Sequence, residues 1–479
     1  EGAIPEADDA QRRGGEELAA ATLEFQARVF VGMAENSSDE KRFNIASAID
    51  SLRAGDLNQR IGHVILVGEL RGAFNALDAI DELHGLVDDN DRELTGDEAF
   101  LLDRLEIAYR DYVDGKLDAP SLDEQDRRFI EDRLGWLGSL ALCPRSAPSY
   151  PSSEQRRVDV SDVSSDEARR TTRQLLLKQA KRTVNVASRI TMLFFGFGFV
   201  GLGMLARLVW MYSNKRTVFG IGGEGGYGGV YAETFAVWMV LFVGLSMLAS
   251  VFKGKAPIFV VHGAASFGSL LALAWPVLRG VSWRRVRRDI GWTAGRRPLV
   301  EPWIGFTTYA MCLPLMVVGG VLYAINLHLG GELDGLLGGD SVVGGSAGGD
   351  LDPVDTPSHP VIEPFLAADW SGRLHVYFLA CVAAPIVEET MFRGVLYRHL
   401  RELTSRFRLA ISAVLSAFVS SFIFAVIHPQ GLAAVPLLMA LSIGFSIARE
   451  WRSTLIPSVI AHGLSNAVLL TAVLLLLSG

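Results

Sequence analysis

Two hydrophobic patterns divide the chain. From about residue 10 to 142, apolar side chains recur every three to four positions, the stripe of a helix with one face buried. This spacing predicts five amphipathic helices at about 10–34, 40–53, 57–87, 97–114 and 122–142. Thr95-Gly-Asp-Glu98 and Ser121-Leu-Asp-Glu124 read as capping boxes directly ahead of two of them. From residue 190 the stripes give way to apolar runs of the roughly 20 residues that cross a bilayer. They lie at about 190–212, 232–252, 256–278, 302–325, 374–397, 409–428, 431–448 and 455–477. The pattern predicts an all-α protein, a polytopic membrane bundle of about eight transmembrane helices preceded by a soluble helical domain.

The stretch between the two parts changes character. Pro144, Pro148, Pro151 and several serines make 143–163 a linker. Ser164-Ser-Asp-Glu167 then caps a basic helix carrying Arg169, Arg170, Arg173, Lys178, Lys181 and Arg182, which runs on into the first apolar run. The domains are therefore 1–142, a linker and juxtamembrane helix at 143–189, and a membrane domain at 190–479. Residues 330–372, rich in Gly, Asp and Pro with almost no basic residue, read as a mobile extracytoplasmic loop. Gly196-Phe-Gly-Phe-Val-Gly201 matches GxGxxG, but no strand precedes it, so its glycines serve helix packing and not a dinucleotide.

Composition agrees with a chain part soluble and part membrane: 49% of the residues are hydrophobic and the mean hydropathy is +0.27. The net charge of -8 is unevenly spread, with acids before residue 165 and at 332–369, and no global basic patch argues for nucleic acid. Seven arginines fall between Arg279 and Arg297, more between Arg398 and Arg408, and others at Arg449 and Arg452. Placing the N-terminal domain outside puts these loops on the cytoplasmic side, as the positive-inside rule favours. The basic helix at 169–182 would itself prefer an anionic cytoplasmic leaflet and argues the other way. Cys143, Cys312 and Cys381 make no disulfide framework and no CxxC ribbon. Asn36-Ser-Ser38 is a glycosylation sequon of low specificity. The first residue, Glu1, raises the expectation of a removed N-terminal segment.

Ionisable groups inside apolar helices are expensive and usually functional. Cys381-Val-Ala-Ala-Pro-Ile-Val-Glu-Glu-Thr-Met-Phe-Arg-Gly394 carries two adjacent carboxylates and an arginine within such a run. Glu389 and Arg393 are i and i+4 and can neutralise one another, whereas Glu388 is turned about 100° away and is left free. Pro385 removes a helical hydrogen bond and predicts a kink beside this site. His428 closes the next helix, and His462 and Asn466, again i and i+4, share a face of the last. A turn near Ser405–Arg408 would set Glu388 and His428 at the same depth on an antiparallel hairpin. A carboxylate and an imidazole together can activate water, with His462 and Asn466 as donors to an oxyanion. A lone intramembrane histidine such as His262 reads as interhelical glue.

Glu388-Glu389-x-x-x-Arg393, Phe424-x-x-x-His428 and His462-x-x-x-Asn466 resemble the three motifs of the CAAX protease and bacteriocin-processing family, intramembrane endopeptidases similar to the Ras-converting CAAX prenyl endopeptidase. The resemblance covers about 280–479, including Arg288-Asp-Ile-Gly-Trp292, and does not touch 1–165. It implies hydrolysis of peptide bonds in a membrane-associated or prenylated protein or peptide, within the lipid bilayer of a bacterial cytoplasmic membrane. Catalysis would fall to Glu388, His428, His462 and Asn466, with Glu389, Arg393 and Phe424 structural or substrate-orienting. No cofactor is favoured. Zinc held by Glu388, His428 and His462 is the metalloprotease alternative, although no HExxH occurs. A non-catalytic scaffold or bacteriocin-immunity protein is the alternative outside enzymes, and a transporter would require an internal repeat that is not found.

Overall fold

The computed structural model describes residues 5–477 apart from 36, 39–43, 46, 90–93, 116–120, 146–159, 218, 222–227, 252–257, 338–361 and 431. Every regular element among the described residues is helical. They fall into two compact units, one comprising the helices up to Arg189 and the other Ile190–Leu333 with Pro357–Leu474.

The first unit holds α1 (Pro5–Glu35), α2 (Leu57–Leu70), α3 (Ala73–Asp89), α4 (Gly96–Val113), α5 (Glu124–Leu134), α6 (Trp136–Leu142) and the start of α7 (Val160–Ser213). Its core is one cluster in which Ala27 and Val31 of α1 meet Ile61 and Ile65 of α2, Leu102 and Leu105 of α4, and Leu176 and Ala180 of α7. Arg173 of α7 ties it further, donating to Glu69 at 2.6 Å and to the Cys143 carbonyl at 2.7 Å.

Several helix boundaries differ from the expected ones. The stretch 57–87 is two helices, because Gly72 takes φ +105 and turns the chain, and 122–142 is broken by Gly135 at φ +56; an L side chain is strained at either value. Thr95 and Glu98 form the expected capping box. The next cap is Asp123, which accepts from the Asp126 N–H, while Ser121 is held away from the helix by the Asp111 carboxylate. The described end of the 40–53 stretch is a 3₁₀ turn, Ile49–Ala54. Helix α7 starts at Val160, upstream of the expected Ser164 cap. The sequon asparagine Asn36 and linker residues 146–159 lie outside the described residues.

In the second unit α7 is followed by α8 (Val230–Val251), α9 (Val260–Leu278), α10 (Trp283–Ile290), α11 (Glu301–Leu337), α12 (Ile362–Ala367), α13 (Trp370–Leu403), α14 (Leu409–Ile427), α15 (Val435–Arg452) and α16 (Ile456–Leu477). Among the described residues, seven helices are long and apolar enough to cross a membrane: α7, α8, α9, α11, α13, α14 and α16. The chain is an integral multi-pass membrane protein. The remaining apolar run, 431–448, is α15, whose last turn carries Arg449, Glu450 and Arg452. Enclosed by its neighbours, with Ser442, Phe445, Ser446 and Arg449 buried, it runs back alongside α14 and needs no uniformly apolar surface. Part of the expected 330–372 loop is helical, since α11 continues to Leu337 and α12 covers Ile362–Ala367; residues 338–361 lie outside the described residues.

Hydrogen bonds fix which helix ends share one end of this unit. Tyr231 at the start of α8 donates to Asp289 of α10 at 2.9 Å. Arg452 at the end of α15 grips Glu301 at the start of α11 at 2.7 and 2.9 Å. Tyr397 of α13 donates to Glu450 of α15 at 2.9 Å, and the Leu455 N–H donates to the Gly291 carbonyl at 3.1 Å. The arginine-rich segments 279–297, 398–408 and 449–452 therefore collect at the same end. Gly201, from the GxGxxG stretch, packs against α11 so closely that a Cβ would stand 1.8 Å from the Ala310 carbonyl oxygen.

Candidate active site

Three helices, α13, α14 and α16, deliver the chemistry-bearing side chains. Helix α13 is not regular: it widens into π turns at Leu379–Ala383 and Thr390–Leu396, on either side of the segment Ala384–Glu389. Pro385 accounts for the first. A carbonyl in a π turn seeks the N–H five residues on, and for Ala380 that residue is Pro385, which has none. Asn466 of α16 fills the gap, its amide donating to the Ala380 oxygen at 2.7 Å. The two helices touch backbone to backbone there, since a Cβ on Gly463 would stand 2.3 Å from the Cys381 carbonyl oxygen.

One turn further, Glu388 and Glu389 part company. Glu389 is fully buried and its Oε1 accepts from Arg393 at 2.8 Å and from His462 Nδ1 at 3.0 Å. Arg393, equally buried, also donates to the Ser442 hydroxyl at 2.6 Å and lies between the rings of Phe424 at 4.4 Å and Phe445 at 5.1 Å. A charge so deep is tolerated because it is paired, hydrogen-bonded and flanked by aromatic faces. The His462 ring stacks on Phe445, with centroids 5.2 Å apart.

Glu388 retains partial access, its side chain 25% exposed. Its Oε2 lies 3.7 Å from Nε2 of His428 and 3.7 Å from Nε2 of His462. No direct hydrogen bond reaches this oxygen among the described residues. The tautomers follow from the opposite sides of the rings. His428 Nδ1 is 2.6 Å from the Phe424 carbonyl, which can only accept, so Nδ1 carries the hydrogen. His462 Nδ1 faces the Glu389 carboxylate in the same way. In the neutral rings both Nε2 atoms are therefore acceptors, and three acceptors converge with no hydrogen among them. A water within reach of all three would supply what is missing.

The structure thus brings Glu388, His428 and His462 together around one oxygen, with Glu389, Arg393 and Phe424 packed behind them. Asn466 is near in the fold, but the amide hydrogen described for it serves the Ala380 carbonyl. Ser442 and Phe445, which support Arg393 and His462, went unrecognised in the sequence because neither stands out in an apolar run. Arg449, which the sequence places among the loop charges, is fully buried and donates to the Asp289 carbonyl at 2.9 Å. As a zinc site the set has suitable donor chemistry, a carboxylate oxygen 3.7 Å from each of two imidazole Nε2 atoms. Among the described residues no group of three or more His, Cys, Asp or Glu side chains is placed to hold a metal ion. Next to α13 is an apolar recess of about 400 Å³, lined by Trp292, Ile386, Thr390, Ile456, Val459 and Ile460 and by none of the converging residues.

An all-helical membrane bundle with a carboxylate and two histidines converging between its helices defines a class of intramembrane protein with a buried polar site. Residues 370–468 match the family model described as type II CAAX prenyl endopeptidase Rce1-like, so this segment is similar to the CAAX-type intramembrane proteases. The match spans about a fifth of the chain, from α13 into α16, and takes in every candidate site residue. Comparison with curated proteins and with solved structures finds no match.

Proposed function

We propose that the chain is an intramembrane endopeptidase that hydrolyses peptide bonds of a membrane-associated or prenylated protein or peptide. The observation that carries this reading is the placement of two imidazole Nε2 atoms, each 3.7 Å from the same Glu388 oxygen. Glu388 takes a proton from a water oriented by His428 Nε2, and the water oxygen attacks the scissile carbonyl carbon. The negative charge that develops on the carbonyl oxygen is met by His462, when its Nε2 is protonated, and by the second amide hydrogen of Asn466. Glu389, accepting from His462 Nδ1, balances the charge of that protonated ring. Collapse of the tetrahedral intermediate breaks the C–N bond, and the proton held by Glu388 passes to the leaving amine.

The protease-like core is assigned to about 280–479, with 1–142 a separate helical domain. Gathering of the arginine-rich segments at one end of the membrane unit supports a cytoplasmic placement of that end and an extracytoplasmic N-terminal domain, in a bacterial cytoplasmic membrane. The test is turnover of a fluorogenic peptide library by the full chain in lipid. Glu388→Gln preserves shape and removes the base, so turnover falls by at least about a hundredfold, the lower range for a lost general base, while the melting temperature holds. A wild-type chain that cleaves no peptide or membrane-protein substrate would make it a scaffold instead.

A further inference from the structure

Beside α13, and apart from the converging side chains, lies a positively charged belt. In α10, Arg284, Arg287 and Arg288 share one face and are exposed, while Val286, Asp289 and Ile290 are buried on the other. Arg296 and Arg297 follow in the next loop, also exposed. The acids of this stretch are already engaged: Asp289 by Tyr231 and Arg285, Glu301 by Arg452. Five arginines thus stand within fourteen residues without a local acid left to neutralise them. Among them are exposed apolar side chains, Leu299 at 89% and Trp303 at 69%, with Trp283 heading α10. Such a mixture suits the boundary between headgroups and acyl chains and is costly in bulk water.

The same segment walls the apolar recess. Gly291, Trp292, Thr293 and Ala294, lying between Arg288 and Arg296, form one side of it; Ile386 and Thr390 of α13 and Ile456, Val459 and Ile460 of α16 form the rest. We propose that this is a binding site for an anionic phospholipid. The phosphate engages the belt arginines, whose planar forks pair with phosphate oxygens, and one acyl chain enters the recess. The assignment is independent of any peptidase activity.

Native mass spectrometry of the detergent-purified full chain, with phosphatidylglycerol or phosphatidylcholine added, tests it. The expected result is at least about a tenfold preference for phosphatidylglycerol at physiological salt, shrinking towards parity near 1 M salt as screening shortens to about 3 Å. Arg296→Gln with Arg297→Gln brings the preference close to parity, each arginine being worth up to about fivefold, and changing all five arginines to glutamine leaves none. Val459→Phe, which fills the recess, lowers retention of both lipids and leaves the headgroup preference. Equal retention of the two lipids, a preference insensitive to salt, or one untouched by Arg296→Gln with Arg297→Gln would overturn the proposal. So would unchanged retention in Val459→Phe. The salt series needs only the wild-type chain and decides the matter even if the five-arginine variant fails to fold.

Discussion

His462 turns its Nδ1 to Glu389 at 3.0 Å, so that its Nε2 faces Glu388 on the neighbouring position of the same helix. Two adjacent carboxylates therefore occupy opposite sides of one imidazole. Only Glu389 is fully buried and paired with Arg393. The roles of the two glutamates separate by stability as well as by rate.

Glu389→Gln should be the more damaging to the fold. It leaves the Arg393 guanidinium buried without its counter-charge, a loss of about 3–5 kcal/mol for a broken buried pair. Thermal unfolding of the purified variants checks this. A Glu389→Gln melting temperature equal to that of Glu388→Gln would refute the assignment.

Arg393→Ala should cost about as much, because it strands Glu389 and empties the space between Phe424 and Phe445. Replacing both charges, Glu389→Gln with Arg393→Met, should recover a good part of the single-variant loss, since nothing charged is left unpaired. A double-mutant cycle reads the coupling. Additive losses would mean the pair does not act as a unit.

Asn466→Ala should lower stability by about 1 kcal/mol, the low end of the penalty for an acceptor left without its donor, here the half-buried Ala380 carbonyl. Asn466→Asp should do no better, having no hydrogen to donate when ionised. If either variant melts like the wild type and only turnover falls, the hydrogen bond to Ala380 has no structural weight and the amide serves chemistry alone.

The first unit should weaken in mild acid. Burial holds the His63 imidazole below its ordinary value, opposed by its contact with Asp50 and helped by Arg71 and Arg53 nearby. The unfolded chain takes up that proton near pH ~6.5, so stability is full above that pH and declines as pH falls through the folded value. Asp50 is also held low, the burial that would raise it being outweighed by Arg71 and His63; its contribution is lost only below about pH 4. Protection factors of α2 against hydrogen exchange, taken relative to the intrinsic rate at each pH, should fall between pH 7 and 5, and His63→Gln should flatten that change. Unchanged protection across the window would count against it.

Exhaustive chelation should leave turnover intact, with no stoichiometric zinc by elemental analysis. Zinc whose removal abolishes turnover and whose return restores it would assign Glu388, His428 and His462 as ligands instead.

Sequence alone determined the helical class, the separation of an amphipathic half from an apolar half, and the identity of the ionisable residues within apolar runs. These are local properties: a period of 3.6, a run long enough for a bilayer, and a charge where a charge is costly. The i, i+4 pairing of Glu389 with Arg393 was legible for the same reason. Tertiary structure decided what depends on contacts distant in the chain. It set which glutamate faces both histidines, and it gave Glu389 a second partner in His462, 73 residues away. It also turned the Asn466 amide to the carbonyl that Pro385 leaves without an N–H. The breaks at Gly72 and Gly135 were hidden because a helical stripe continues across a turn when both helices bury the same face. Likewise α15 could be read as one more span, because run length does not reveal that a helix is enclosed by its neighbours and can bury Arg449 among them.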